Sequence, residues 1–143
     1  MINQQLQEVE MPLICSLVNE SDRLDFLPKF LGKHFASFES LVFGLMAEYS
    51  EEYNGGYWLF WTLSNGSFYM ALDDKDKKYQ VSCAGNYFDG LMTADAAGVV
   101  VCLIALNRLA CHTGEARFVE LFYGLRDWAL EHPEAELILA AID

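Results

Sequence analysis

The stretch Tyr57-Trp-Leu-Phe-Trp-Thr-Leu-Ser-Asn-Gly-Ser-Phe-Tyr-Met-Ala-Leu72 decides the fold class. Its two halves are aromatic and apolar, and Asn65-Gly66 between them readily takes the positive-φ geometry of a tight hairpin turn. With Asn65 and Gly66 as a two-residue turn, Ser64 pairs with Ser67. That register sets Leu63 opposite Phe68, Trp61 opposite Met70 and Leu59 opposite Leu72, on the face assigned to the core. The other face, with Trp58, Phe60, Thr62, Tyr69 and Ala71, is still apolar and requires cover from another element or from a partner.

Toward the N-terminus, Asn54-Gly55-Gly56 stops a helix that the sequence starts after Ser37. Phe38, Leu41, Val42, Leu45 and Tyr49 recur on its one apolar stripe, with Glu39, Ser40, Glu48 and Glu51 off it. Asp22 with Asp25 resembles an N-cap pattern and opens a shorter helix that ends near Gly32. Residues 9–18 carry apolar and β-branched side chains, but Pro12 donates no ladder hydrogen bond, so a strand here is short and at an edge.

Toward the C-terminus, Asp73 to Lys78 forms a charged turn into a third strand near Tyr79 to Cys83, and Gly85, Asn86 and Gly90 mark a loop. Thr93 caps a helix with Asp95 in its first turn, and its body from Ala96 to Ala110 is apolar on nearly every side, which makes it central. After His112-Thr113-Gly114, Phe118, Leu121, Phe122, Leu125, Trp128 and Ala129 line one face of the next helix, while Glu120, Asp127 and Glu131 line the opposite face. Pro133 fits the first position of a last short helix that docks through Leu137, Ile138 and Ile142. The expected fold is α+β, a small irregular antiparallel meander of three to four strands packed with four to five helices. One domain spans 1–143, with 1–20 a divergent N-terminal segment.

Composition narrows the function. With 53% hydrophobic and 21% charged residues the chain supports a packed core. The longest apolar run, Ala96 to Leu106, falls short of the ~20 residues of a membrane span, and Met1 to Met11 has no export-signal pattern, so the expected compartment is the cytoplasm. Cys15, Cys83, Cys102 and Cys111 lack metal-ligand spacing and read as reduced thiols. A net charge of -12 disfavours direct contact with nucleic-acid phosphates.

Catalytic signatures are absent. There is no Gly-x-Ser-x-Gly elbow and no His-Glu-x-x-His, and Leu91 and Met92 stand where a phosphate loop needs Lys and Ser or Thr. Cys111 and His112 are adjacent, yet neighbours on a helix point in different directions. Asp73, Asp74 and Asp76 lack the glycine and distant glutamate of a calcium loop and read as a solvated turn. Neither a metal nor a cofactor is expected.

Three blocks carry a family resemblance: Tyr53-Asn-Gly-Gly-Tyr-Trp-Leu-Phe-Trp-Thr-Leu-Ser-Asn-Gly66, Ala96-Ala-Gly-Val-Val-Val-Cys-Leu103 and Tyr123-Gly-Leu-Arg-Asp-Trp-Ala-Leu-Glu-His-Pro-Glu134. In order and spacing they resemble the ArdB/KlcA antirestriction proteins. The resemblance implies a non-enzymatic protein of plasmids and other mobile elements that protects incoming DNA by interfering with type I restriction-modification enzymes. It also implies an α+β fold, and it carries over no catalytic residue. The implied partner is the restriction enzyme or an associated host DNA-processing protein.

Within that function, a moderate charge and an apolar composition favour non-mimetic inhibition over an acidic DNA mimic seated in the enzyme's DNA groove. Other classes are a cryptic small hydrolase using Cys111 and His112, and an adaptor binding through the apolar outer hairpin face. The candidate partner surface comprises Glu120, Asp127 and Glu131 on one helix and Asp73, Asp74 and Asp76 in the charged turn, the outward acidic groups on rigid elements.

Overall fold

The computed structural model describes residues 12–143; the strand reading over 9–18 is thus covered only from Pro12 onward, and most of the 1–20 segment lies outside the described residues. Strands β1 (Cys15–Leu17), β2 (Trp58–Leu63) and β3 (Phe68–Leu72) form one antiparallel sheet, and β4 (Lys78–Cys83) with β5 (Phe88–Thr93) forms a second. Five α-helices among the described residues surround them: α1 (Arg23–Leu31), α2 (Phe35–Tyr49), α3 (Ala94–Thr113), α4 (Ala116–Glu131) and α5 (Ala135–Ile142). The fold is α+β, as expected. The first strand is short, paired only with β2, and follows Pro12.

The central hairpin forms, but one residue out of the expected register: Trp61 faces Tyr69, Phe60 faces Met70 and Thr62 faces Phe68. The reason lies in the turn. Gly66 N–H donates to Leu63 O at 3.0 Å and Leu63 N–H to Ser67 O at 2.9 Å, closing a three-residue loop with Gly66 at φ 91°, the common hairpin alternative to a two-residue turn. Asn65 Oδ1 accepts from Ser67 N–H at 3.1 Å, and its amide donates to Gly124 O at 2.8 Å. The asparagine thereby holds the loop to α4.

A one-residue shift exchanges the two faces of β2 relative to β3. Phe60 and Trp58 now join Phe68 and Met70 on one face, which packs against α1 and α2. There Phe26 stacks on Phe60 with centroids 5.2 Å apart, and Phe38 meets Phe68 edge-on at 5.6 Å. Leu59, Trp61, Tyr69 and Ala71 face α3 and the end of α4. The apolar outer face that required cover is covered within the chain, so all five residues of β3 are buried.

The third strand does not extend this sheet as a meander. The charged turn carries the chain away, and β4 pairs instead with β5, Val81 opposite Gly90 and Cys83 opposite Phe88. Residues expected as loop, Gly90 among them, thus belong to a strand. Tyr79, Val81 and Cys83 point inward with the period of two of a half-buried strand.

Helix α3 sits in the centre. Thr93 Oγ1 accepts from Ala96 N–H at 3.1 Å, an N-cap, and Gly114 ends the helix in the left-handed region at φ 69°. At 20 residues it is long and apolar enough to cross a membrane by length and composition, which the run Ala96 to Leu106 understated, but it packs against β3, α2, α4 and α5. Gly98 allows that approach: a Cβ there would lie 2.4 Å from Ala71 Cβ. Helix α2 starts at Phe35 rather than after Ser37, and Pro133 precedes α5 in the turn rather than opening it.

Candidate functional site

The acidic residues singled out in the sequence are distributed over two regions. Glu120, Asp127 and Glu131 are exposed along the outer side of α4, separated by seven and four residues and thus on one helix face. Glu120 lies at the hairpin-turn end, in a depression it shares with Lys29 and Arg117. Glu131, near the C-terminal end, accepts a hydrogen bond from Leu13 N–H at 3.0 Å. Asp73 and Asp76 are exposed, while Asp74 accepts from the Tyr79 hydroxyl at 2.8 Å. Burial and that carboxylate push Tyr79 up to about 12.

Cys111 and His112 sit in the last turn of α3, both exposed, and share no hydrogen bond with each other. Among the described residues no group of three or more His, Cys, Asp or Glu converges as a metal site.

The structure brings together residues that the sequence left apart. The Asp73–Lys75 turn, the N-terminus of α3 and the C-terminal end of α4 line a groove of about 590 Å³ whose walls include Leu59, Trp61, Leu72 and Trp128. At its side Asp95 binds two groups at once: the Tyr69 hydroxyl donates to Oδ1 at 2.8 Å and His132 Nε2 contacts Oδ2 at 2.8 Å. Glu134 N–H donates to His132 Nδ1 at 3.0 Å, so that nitrogen is an acceptor and the ring proton resides on Nε2, aimed at Asp95.

Chemically this is a brace. A general base must present a lone pair to its substrate, and here the free lone pair of His132 is taken by Glu134 N–H while the side chain is only 5% exposed. Burial and the adjacent Asp95 charge raise Tyr69 far above its ordinary range, which keeps it protonated as a donor. Next to the brace, the Glu134 carboxylate accepts from Thr93 N–H at 3.0 Å and from the Thr93 hydroxyl. The start of α3 and the turn between α4 and α5 are thereby locked together.

Two donors in the groove wall have no such partner. The indole N–H groups of Trp61 and Trp128 are buried and make no hydrogen bond among the described residues, a cost of about 1–3 kcal/mol each. Trp61 stacks on Tyr69 with centroids 6.3 Å apart and planes at 16°. Residues 61, 69, 95 and 128 lie on four different elements and residue 132 in the turn after α4, and no spacing rule links them. Their one local signal was Asp95 at a helix start, which also has the ordinary explanation of dipole complementarity.

Fold and site together define a small acidic α+β domain with a braced polar network beside an apolar groove. Residues 51–143 match the family model described as antirestriction protein, and the chain belongs to that family. It is 41% identical over 143 residues to the antirestriction protein KlcA of Escherichia coli, covering 95% of this chain and 97% of the relative. An uncharacterised Escherichia coli K12 protein, YafX, is 38% identical over 137 residues, with 94% and 90% covered. A solved structure of the KlcA and ArdB proteins, described as having a novel fold and antirestriction activity against type I DNA restriction systems in vivo but not in vitro, superposes with a TM-score of 0.85. Its sequence identity is 42%, over 94% of this chain and 97% of that one.

Proposed function

We propose that the chain protects DNA entering a cell on mobile elements by interfering with type I restriction-modification enzymes, acting in the cytoplasm, without catalysis and without imitating the DNA duplex. The observation that carries this reading is the match in fold and sequence to the KlcA and ArdB structure over nearly the whole chain.

The arrangement of the carboxylates supports a mechanism other than mimicry. A mimic needs acids spaced like phosphates, about 1.7 Å of axis per charge, and free to face a basic groove. Here Glu20, Glu52, Asp89, Asp95, Glu115 and Glu134 accept hydrogen bonds from the protein itself. The activity described for KlcA and ArdB in vivo but not in vitro further supports a route that needs a cellular component besides the purified enzyme. The partner is the restriction enzyme or a host DNA-processing protein bound to it. Glu120, Asp127 and Glu131 supply an outward acidic face for it, and the Asp73, Asp74 and Asp76 turn a second.

The test is survival of unmodified phage or plasmid DNA in cells with an active type I system, with and without this chain. Raised survival at unchanged DNA methylation is the expected result; unchanged survival with abundant folded protein removes the proposal. Replacing Glu120, Asp127 and Glu131 together by their amides lowers protection if that face meets the partner. Full protection by the folded variant removes that face and leaves the function.

A further inference from the structure

The groove between the Asp73–Lys75 turn, the start of α3 and the end of α4 belongs to no activity derived above, and its chemistry is specific. Its walls are apolar and carry two indoles, Trp61 and Trp128, whose buried N–H groups make no hydrogen bond among the described residues. Asp73, Asp74, Asp95 and Glu134 stand around it, with Lys75 as the one cation among the described residues. Asp95 keeps 39% of its side chain exposed although both oxygens already hold internal donors.

We propose that this groove is a recognition site for an arginine side chain carried on an extended segment of a partner protein. The inference rests on the proposed function for the existence of a protein partner and adds the chemistry by which it is recognised. Each feature selects the occupant. Apolar walls take the aliphatic stem, and indole faces attract a guanidinium by cation–π contact and stacking. The carboxylates supply the opposite charge without the brace having to open. An extended segment lets a single side chain project from the backbone into the groove.

A neutral apolar ligand would leave the four carboxylates unused, and a phosphate would be repelled by them. The groove volume of about 590 Å³ lies within the usual range for an enclosed ligand group.

The experiment uses the full chain and two blocked peptides of sequence Gly-Leu-Arg-Leu-Gly, one with arginine and one with citrulline, which has the same shape and no charge. Binding is followed by calorimetry and by tryptophan fluorescence. The arginine peptide binds about 10-fold more tightly than the citrulline peptide, as a desolvated cation–π contact with charge support requires. The advantage shrinks as sodium chloride is raised. In the double variant D73N/D74N, and separately in W128F, the advantage falls several-fold while the melting temperature holds; Asp73 is exposed and an asparagine at 74 still accepts from the Tyr79 hydroxyl, so the first variant keeps the test valid if the second folds poorly.

Equal affinity for the two peptides, or an undiminished arginine advantage in both folded variants, overturns the proposal. In the restriction assay, D73N/D74N protects less than the unaltered chain. Full protection by the variant overturns the groove as the partner site and leaves the function standing. Absence of protection by the unaltered chain removes the function, and peptide selectivity then decides the groove by itself.

Discussion

Gly98 shows how one missing methyl group sets the position of a helix. In an exposed helix interior, Gly to Ala gains about 1 kcal/mol of helix propensity. Here the added Cβ would lie 2.4 Å from Ala71 Cβ and 2.6 Å from Met70 O, the latter a backbone atom that cannot turn aside. Overpacking costs about 1–3 kcal/mol and occasionally more, so sterics outweigh propensity and G98A is net destabilised; urea titration with an unchanged or raised midpoint would contradict this.

The thiols provide a second residue-scale test. Burial pushes Cys102 up to about 12 and Cys83 up to about 11, whereas Cys111 is exposed. A thiol in the unfolded chain ionises near 9, so the stability these two groups contribute is complete below that pH and is lost as pH rises toward 11–12. The urea midpoint at pH 10.5 falls below that at pH 8. At neutral pH a thiol reagent labels Cys111 first, and Cys83 and Cys102 only after denaturant is added. Rapid labelling of all four in the native state would refute the packing.

Among the elements, the junction of α3 with the α4–α5 turn is the most specifically built. Thr93 caps α3, and Glu134 accepts both the backbone and the hydroxyl proton of that cap. Losing an N-cap costs about 1 kcal/mol and hydrogen bonds to a charged group about 1.5–3. A double-mutant cycle between Thr93→Ala and Glu134→Gln therefore returns a coupling of about 1–3 kcal/mol, and a coupling near zero would show that the two residues act independently. The sequence already displayed half of this junction: the cap, the acidic first turn and the central apolar helix were legible because they follow local rules. The other half, Glu134, follows no local rule, since its tie to Thr93 spans 41 residues. Likewise Asn65-Gly66 announced a hairpin, while the register depended on a side chain bonded to Gly124, which no local pattern encodes. The shift by one residue places Trp61 in the groove instead of in the inner layer, so the groove has no signature in the local pattern.

At the scale of the whole molecule, the acidic composition and the packed interior answer to different demands. Carboxylates on α4 and in the Asp73–Asp76 turn face outward, whereas the buried apolar side chains of the described residues form one continuous cluster around α3 and β3. Strand β3 is an edge strand of its sheet, and open edges invite pairing with other chains. Its edge is covered by α3, where Cys102 Sγ contacts both Met70 N and Met70 O at 3.4 Å. This closure sets the molecule's clock for solvent exchange. With helices over both faces and a thiol against its edge, β3 has no local opening of low energy, so the Met70 and Ala71 amides exchange with deuterium only when the entire domain unfolds. Their exchange free energy equals the global unfolding free energy measured in urea, while the amides of β1, on the other edge and mostly exposed, exchange orders of magnitude sooner.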